Sequence, residues 1–442
     1  MCYAIPGRVL ALEGRRATLD YFGETKPALH ELSDLSVGDY VYAQGGFIIS
    51  RVAAAEAIAA LGFWKETFVQ LQEQDLKLSR LNLDRHGVSP EILNIFDRVL
   101  DERSDQPLSE AELLRLLNIE DEAGLAFLYQ VANHVRHKRQ GNACCIHGII
   151  EISNHCSRSC GYCGISRHNN GLARYRLTAE EILTAVGQAV ETYGFKALVL
   201  QAGEDSGRSI EELAELVCEI RRRWAVLLFV SFGEIGIKGL EKLYSAGARG
   251  LLMRFETSNS ELFASLRPGR TLEQRLEHLR AASDIGYMVI TGSLVGLPGS
   301  AAEDHLRDIL LARSLRPDMY SFGPFLPHAA TPLAGCARAH VNDIRKILAV
   351  SRIADPRDAR LVVTTAFETL DPLAREHGLT AGANSLMLNL TPEQFRPSYD
   401  IYPERAHAEE TITSQVDNAL DLLTRLGRAP SDIGTGRGER EN

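Results

Sequence analysis

The chain has 442 residues, 45% of them hydrophobic, and a net charge of −10. That length accommodates one barrel-sized domain and a smaller one, and the acidic balance argues against a general nucleic-acid binder. Eight cysteines are too few for a disulfide scaffold, and no run of about 18 apolar residues suits a membrane span. The start, MCYAIPGRVLALEG, lacks the basic region and long apolar core of a secretion signal, so a cytoplasmic location is expected.

Residues 1–52 read as short strands. Val9, Leu10 and Leu12 lead to a turn at Glu13–Gly14, Ala17, Leu19 and Tyr21 alternate, and Phe22-Gly23-Glu24 turns again. Val41–Ala43 and Phe47–Ile49 follow the turn at Val37-Gly38-Asp39. Small strands with closely spaced glycine turns predict a compact all-β barrel of the OB type. A helix from about Ala53 to Glu73 comes next, with Ile58, Leu61, Phe68 and Leu71 as its buried stripe. Residues 1–75 are therefore expected to form one module, and the polar segment 76–90, ending in HGVSP, a linker.

Three helices are predicted near 91–102, 109–117 and 121–139, the second opened by a Ser109/Glu112 capping box. Beyond residue 145 apolar strands alternate with amphipathic helices: IHGIIEI, KALVLQ, VLLFVSF, GLLMRF, YMVITGSLVG, MYSFGPF and RLVVTT. That rhythm predicts an α/β domain over 91–427, a (βα)8 TIM barrel, with 428–442 as a flexible tail.

The run ISNHCSRSCGYCGIS places Cys156, Cys160 and Cys163 on one loop as CxxxCxxC, directly after the first of these strands. Three soft thiolates can hold three irons of a [4Fe–4S] cube. The fourth iron is then open to chelate S-adenosylmethionine. Structural zinc usually takes four ligands in two pairs, and the chain has no second CxxC. In a TIM barrel the active face lies at the C-terminal ends of the strands. Later strand ends carry Gln201 and Glu204, then Glu234, then Arg254 and Glu256. Glu204 suits a methionine ammonium and Glu256 the ribose hydroxyls, while Arg275 on the following helix suits the carboxylate. Any one strand-end carboxylate is as easily a solvated or structural group. Several converging beside a cluster loop favour a cofactor site.

The cysteine spacing, with aromatic Tyr162 before the last thiol, resembles the radical S-adenosylmethionine superfamily. From about 91 to 427 the chain resembles the HydE family of [FeFe]-hydrogenase maturases, on IIEISNHCSRSCGYCGI, RYRLTAEEI, VLQAGED, RFET, LRPGRTLEQRL, GSLVGLPG, FGPFLPHAATPL and AGANSLMLNLTP. The resemblance implies a complete barrel and a 5′-deoxyadenosyl radical generated in a closed cavity. It also implies an iron substrate carrying CO, cyanide and cysteine, a reductant such as ferredoxin or flavodoxin, and hydrogenase maturation proteins or a hydrogenase precursor as partners. Biotin synthase and methylornithine synthase share the barrel. Biotin synthase fits less well, because Cys144, Cys145, Cys218 and Cys336 lack the spacing of its second cluster, and Cys218 reads as a core residue. With no cysteine after Cys336, the peripheral cluster of some HydE proteins is not expected.

The first 75 residues resemble a second family, the HypC chaperones of [NiFe]-hydrogenase maturation, on MCYAIPGRVLALEG and VGDYVYAQGGFIIS. The resemblance implies that Cys2 is a candidate ligand for an iron complex. Where that family has a histidine near the end of its barrel, this chain has Gln44, a poor iron ligand beside imidazole. Two other readings stay open: a radical enzyme acting on a small amino acid or thiol compound with the first module as a docking handle, and a non-catalytic assembly scaffold.

Overall fold

The computed structural model describes residues 5–80, 85–101, 106–355, 357 and 359–431. Cys2 lies outside them. Five strands close the first barrel: β1 (Gly7–Glu13), β2 (Arg16–Tyr21), β3 (Glu24–Leu29), β4 (Tyr40–Gln44) and β5 (Phe47–Val52), in the order β1-β2-β3-β5-β4. Alternation fills it: Val9, Leu19, Tyr21, Val41 and Ile48 point inward with Ile5 and Trp64. Helix α1 (Ala54–Ser79) follows. It buries Ala57, Trp64 and Leu71, with Leu61 and Phe68 half-buried against the small barrel. Ile58, expected on that stripe, is 59% exposed. It falls about 100° from Ala57 around the helix, off the buried face.

Helices α2 (Pro90–Leu100), α3 (Glu110–Leu117) and α4 (Glu122–Gln140) lead into the large barrel, α3 with the anticipated capping box. Eight parallel strands close it, in the order β10-β12-β14-β15-β6-β7-β8-β9. They are β6 (Cys145–Ser153), β7 (Ala197–Ala202), β8 (Leu227–Ser231), β9 (Gly250–Leu252), β10 (Met288–Thr291), β12 (Met319–Tyr320), β14 (Arg360–Val363) and β15 (Ser385–Asn389). A short pair, β11 (Leu294–Val295) with β13 (Gly323–Pro324), extends the rim. The intervening helices are α5 (Ala179–Gly187), α6 (Ile210–Arg223), α7 (Ile237–Ala246), α8 (Ser260–Leu266), α9 (Leu272–Ile285), α10 (Ala302–Ser314), α11 (Val341–Ala354), α12 (Thr365–Leu370) and α13 (Ala374–Thr380), with α14 (Ile412–Arg425) last. On α6 the buried face is Leu213, Leu216, Val217 and Ile220, and Cys218 is exposed rather than in the core. No described helix is long and apolar enough to cross a membrane.

The small barrel is seated on the N-terminal end of the large one. Phe47 and Ile49 of β5 join Ile149, Val199, Leu227, Phe229, Met288 and Met387 in one apolar cluster. The turn before Phe47 reaches so far in that a Cβ on Gly45, whose φ is +60°, would lie 2.7 Å from Met288 Cε. At the rim Arg249 Nε and Nη2 donate to the two carboxylate oxygens of Glu31 at 3.0 and 2.7 Å.

A buried charge cluster locks α1 to the large domain. Asp75 accepts from Arg136 Nη1 and Nη2 at 2.6 and 2.8 Å and pairs with Arg428 Nε at 2.9 Å. His137 Nδ1 lies 2.7 Å away. Burial opposes ionisation of Asp75, but these partners hold its pKa well below the usual carboxylate range. Helix α1 therefore extends to Ser79, into the expected linker. The C-terminal segment corrects the sequence reading in the same place. Arg428 is buried, Ala429 accepts from Cys144 N at 2.8 Å, and residues 428–431 are packed rather than loose. The reason is the buried Asp75 carboxylate, which needs Arg428 as a partner.

Candidate active site

The cluster loop leaves the C-terminal end of β6 and is fixed by backbone bonds from several elements. Ser157 N donates to Glu204 O at 2.9 Å and Gly161 N to Leu266 O at 2.9 Å, while Gly164 N donates to Ile401 O at 3.0 Å. Arg174 gathers the loop from one side: Nη1 donates to Asn154 O and Ile165 O at 2.6 and 2.8 Å, and Nη2 to Ser166 O and Asn169 O at 2.7 and 3.2 Å. The fit leaves no room for side chains at two glycines. A Cβ on Gly203 would lie 2.3 Å from His155 O, and one on Gly164 2.0 Å from Asp400 O.

Cys156, Cys160 and Cys163 share this loop, each of the latter two near enough to feel the charge of the others. Burial pushes the Cys160 and Cys163 thiols up, and each would be ionised against its neighbouring thiolates. Thiols so placed ionise only beside positive charge, which Arg267 supplies in part and an iron–sulfur cube would complete. Tyr162 packs with Leu266, Leu294, Leu297 and Phe325 behind the loop.

The strand-end residues meet in a network of opposite charges. Glu204 is held by Arg158 and accepts from Arg267 Nη2 at 3.0 Å. Glu234 Oε1 lies 2.9 Å from Arg275 Nε, and its Oε2 lies 3.3 Å from Arg270 Nε. Burial and the nearby Arg267 charge push Arg275 below the ordinary arginine value. Five guanidiniums (Arg158, Arg254, Arg267, Arg270, Arg275) face three carboxylates (Glu204, Glu234, Glu256). The excess suits a ligand that brings a carboxylate. The buried atoms here with no hydrogen-bond partner among the described residues include the donors Arg267 Nε and Arg275 Nη2 and the acceptor Glu256 Oε2. Donors and an acceptor thus remain for a zwitterionic guest.

Glu256 sits in the left-handed region with φ 70°. Leu294 N donates to its carbonyl at 2.8 Å, and Asp308 Oδ1 accepts from Ser258 N at 2.7 Å, so the strained turn is held from both sides. Burial raises Asp308 to about 6. Arg254 Nε is 3.8 Å from Glu256 Oε2, and its Nη1 would lie 2.1 Å from a Cβ on Gly323. Gln201, at the end of β7, pairs in register with Glu151 and Ser231 in the barrel wall. Deeper inside, Glu151 is held by Arg405 and accepts from Asn389 Nδ2 at 3.2 Å. Beside the loop, a cleft of about 240 Å³ is bordered by Ser157, Gly203, Glu204, Phe232 and Glu234.

The sequence reading brought Glu204, Glu234, Glu256 and Arg275 to one place but treated Glu204 and Arg275 as open to the ligand. Here Glu204 is engaged by two arginines and Arg275 by Glu234. Arg158 and Arg267 were not singled out. Arg158 stands between the first two cluster cysteines and Arg267 is the second residue of the LRPGR run, so the available signal is a positive charge within each motif.

A closed parallel barrel with three cysteines in CxxxCxxC spacing on the loop after its first strand defines a radical S-adenosylmethionine enzyme, a class that uses a [4Fe–4S] cluster and S-adenosylmethionine. The Radical SAM superfamily model matches residues 150–312 and the HupF/HypC family model residues 1–64. The [FeFe] hydrogenase maturase subunit HydE of Thermotoga maritima is 36% identical over 339 residues, covering 77% of this chain and 97% of that protein. The 3-methylornithine synthase of Methanosarcina acetivorans is 30% identical, over 63% of this chain and 78% of that one. The crystal structure of methylornithine synthase (PylB) superposes with a TM-score of 0.68 at 27% identity, covering 76% of this chain and 97% of that one. The maturase HydG, at 21% identity and a TM-score of 0.62, shares the fold. The chain belongs to the HydE family of radical SAM enzymes and carries a HypC-family module at its N-terminus.

Proposed function

We propose that the protein processes an iron complex of the CO, cyanide and cysteine type during assembly of a hydrogenase metal centre, with the HypC-family module handling cargo for the barrel. When bound, the cluster and S-adenosylmethionine supply a 5′-deoxyadenosyl radical. Cys156, Cys160 and Cys163 hold the cluster. Arg275, kept in line by Glu234, meets the methionine carboxylate through its remaining Nη2 donor. Glu204, braced by Arg158 and Arg267, stands beside the cluster loop to accept from the ammonium. Glu256 offers its unmatched oxygen to ribose hydroxyls, with the Arg254 guanidinium beside it. Tyr162 backs the loop against solvent, and Gln201, bonded to the Tyr399 side chain, belongs to the cofactor-binding strand ends. Electrons come from a reductant such as ferredoxin or flavodoxin, and partners are hydrogenase maturation proteins or a hydrogenase precursor.

The observation that carries this reading is the union of two modules of the maturation type, with the smaller one seated on the larger through Phe47 and Ile49. Anaerobic mass spectrometry of the reduced, cluster-loaded protein with synthetic iron–cysteine carbonyl cyanide complexes tests it. The expected result is 5′-deoxyadenosine, or an adduct of it, formed only when the iron complex is present. Turnover of a small amino acid with no response to the iron complex would favour the second reading, which the likeness to methylornithine synthase motivates.

A further inference from the structure

A cavity of about 330 Å³ lies where the helix of the small module ends against the large domain. Leu78 and Arg80 at the end of α1 border it, together with Tyr129 of α4, Arg345 of α11 and Leu426 at the end of α14. It shares no lining residue with the cofactor site, and its volume is at the small end of ligand pockets, about 300–1,000 Å³. Two of its polar groups are unsatisfied. Tyr129 is 7% exposed, and its hydroxyl has no hydrogen-bond partner among the described residues. Nor has Arg345 Nε, which is buried as well. The Arg345 guanidinium lies over the Tyr129 ring, 4.0 Å from its centroid. Stacking uses the flat face of a guanidinium and leaves the N–H groups of its edge free. The acids whose charges reach this pair are engaged elsewhere: Asp343 lies 3.4 Å from Lys346, and Asp371 2.6 Å from His377. Burial pushes Arg345 below the ordinary arginine value, with the charges of Tyr129 and Asp371 offsetting it.

We infer that this cavity binds a small organic anion, with a carboxylate or phosphate group on Arg345 and the Tyr129 hydroxyl and an apolar part against Leu78 and Leu426. Buried polar atoms in folded proteins nearly always have a partner, so two orphans facing one cavity point to a guest. The charge on hand selects its sign. Two acids border the cavity, and both are answered: Asp75 by Arg136 and Arg428, and Glu376 by Arg425 at 3.7 Å. Arg345 has no such counter-charge among the described residues. Its planar fork matches the paired oxygens of a carboxylate or phosphate, and the tyrosine hydroxyl adds a third donor. The apolar wall argues for an organic rather than an inorganic ion, since Leu78 is 49% exposed at the cavity edge. Water alone would satisfy the two polar atoms, but it leaves that wall uncovered and supplies no counter-charge to a half-buried arginine. Because α1 belongs to the small module and the other walls to the large domain, the bound anion would fasten the two together beside the Asp75 cluster.

The site is independent of the substrate taken by the barrel, and its test does not use turnover. Benzoate and phenyl phosphate are the probes, with benzyl alcohol and inorganic phosphate as the counterparts that lack the charge or the apolar part. Calorimetry is run on full-length, cluster-loaded protein saturated with S-adenosylmethionine, so that the cofactor site is closed to the probes. The expected result is one saturable site per chain for benzoate or phenyl phosphate, the tighter of the two telling a carboxylate site from a phosphate site. Benzyl alcohol and inorganic phosphate should each bind about tenfold more weakly or worse. Arg345→Gln should weaken the tighter probe about tenfold or more. Tyr129→Phe keeps the ring under Arg345 and removes only the hydroxyl, so it should weaken that probe about three- to tenfold and leave the melting temperature of the probe-free protein unchanged. Should Arg345→Gln fail to fold, Arg345→Lys keeps the charge without the fork and should still weaken binding about threefold or more. All these variants should cleave S-adenosylmethionine as the wild type does. No saturable binding of either probe, equal binding of benzyl alcohol, or affinities unchanged in the Arg345 and Tyr129 variants overturns the site.

Discussion

The two ends of the large barrel are built on opposite principles. At the C-terminal mouth the chain spends charge: five arginines against three glutamates, a strained Glu256, and a loop gripped through its own carbonyls. At the floor it spends apolar volume, with Phe47 and Ile49 closing a layer of methionine, valine, leucine and phenylalanine. Polar groups there include Gln44, Cys145, His147 and Ser385 inside and the Glu31–Arg249 pair at the rim. One end is arranged to bind and exchange a charged guest, the other to join a module permanently. The difference predicts how each end fails.

Loss of chemistry is the largest expected effect. Replacing Cys156, Cys160 and Cys163 together by alanine should abolish the cluster and all cleavage of S-adenosylmethionine, with the apoprotein still folded. Iron and sulfide analysis checks this, and a full cluster surviving the triple change would refute the assignment. Next comes the join. Asp75→Ala leaves Arg136 and Arg428 buried with no carboxylate between them and should cost about 3–5 kcal/mol. Phe47→Ala opens a cavity in the floor layer and should cost about 3–5 kcal/mol. Both are read from urea unfolding, and neither should alter the cluster spectrum at low denaturant. A truncation that removes the whole small module is therefore a poor test of its role, because it strips the floor layer and leaves the arginines around Asp75 unpaired.

At the mouth, Arg275→Ala or Glu204→Ala should weaken S-adenosylmethionine binding roughly ten- to a hundredfold, about 1.4–2.8 kcal/mol, by calorimetry on cluster-loaded protein. Affinity unchanged in both would show that the ion network only supports the wall. The smallest effect concerns Asp308. Its folded pKa, about 6, lies above the value of about 3.9 expected when unfolded. The fold therefore prefers the protonated acid, and its contribution is full below about pH 4 and lost as pH rises through about 6. Asp308→Asn should keep the bond from Ser258 N and raise stability above pH 6 by about 1–3 kcal/mol. It should also flatten the slope between pH 4 and 6, which thermal melts across that range would reveal.

Much of this was legible in the sequence because local pattern and long-range packing agree. The small strands alternate cleanly, the Ser109/Glu112 box opens its helix, and seven of the eight barrel strands are apolar runs bounded by turns. The eighth, SLMLN, is short and follows AGAN, a stretch with little propensity signal; only closure of the barrel against β6 makes it a strand. What was not legible depends on partners distant in sequence. Cys218 reads as core because α6 is rich in apolar residues, yet the helix turns it outward. Residues 428–431 read as a loose polar tail, yet Arg428 answers Asp75 from 353 positions away. Nor could any spacing rule bring Gln44 to Cys145. At the site, residue types and strand-end positions sufficed to gather the glutamates and Arg275, but which charge faces which is decided by side-chain geometry.

Arg174 carries a last consequence. A single guanidinium bound to four carbonyls of the cluster loop shapes that loop through the polypeptide alone, before any iron arrives. This bracing predicts that a cube lost to oxygen is replaced without refolding of the loop. Backbone amide exchange over residues 157–166 should accordingly be nearly alike in the apoprotein and the loaded protein, and should quicken in both when Arg174 is replaced by lysine, whose single ammonium cannot span the same four oxygens.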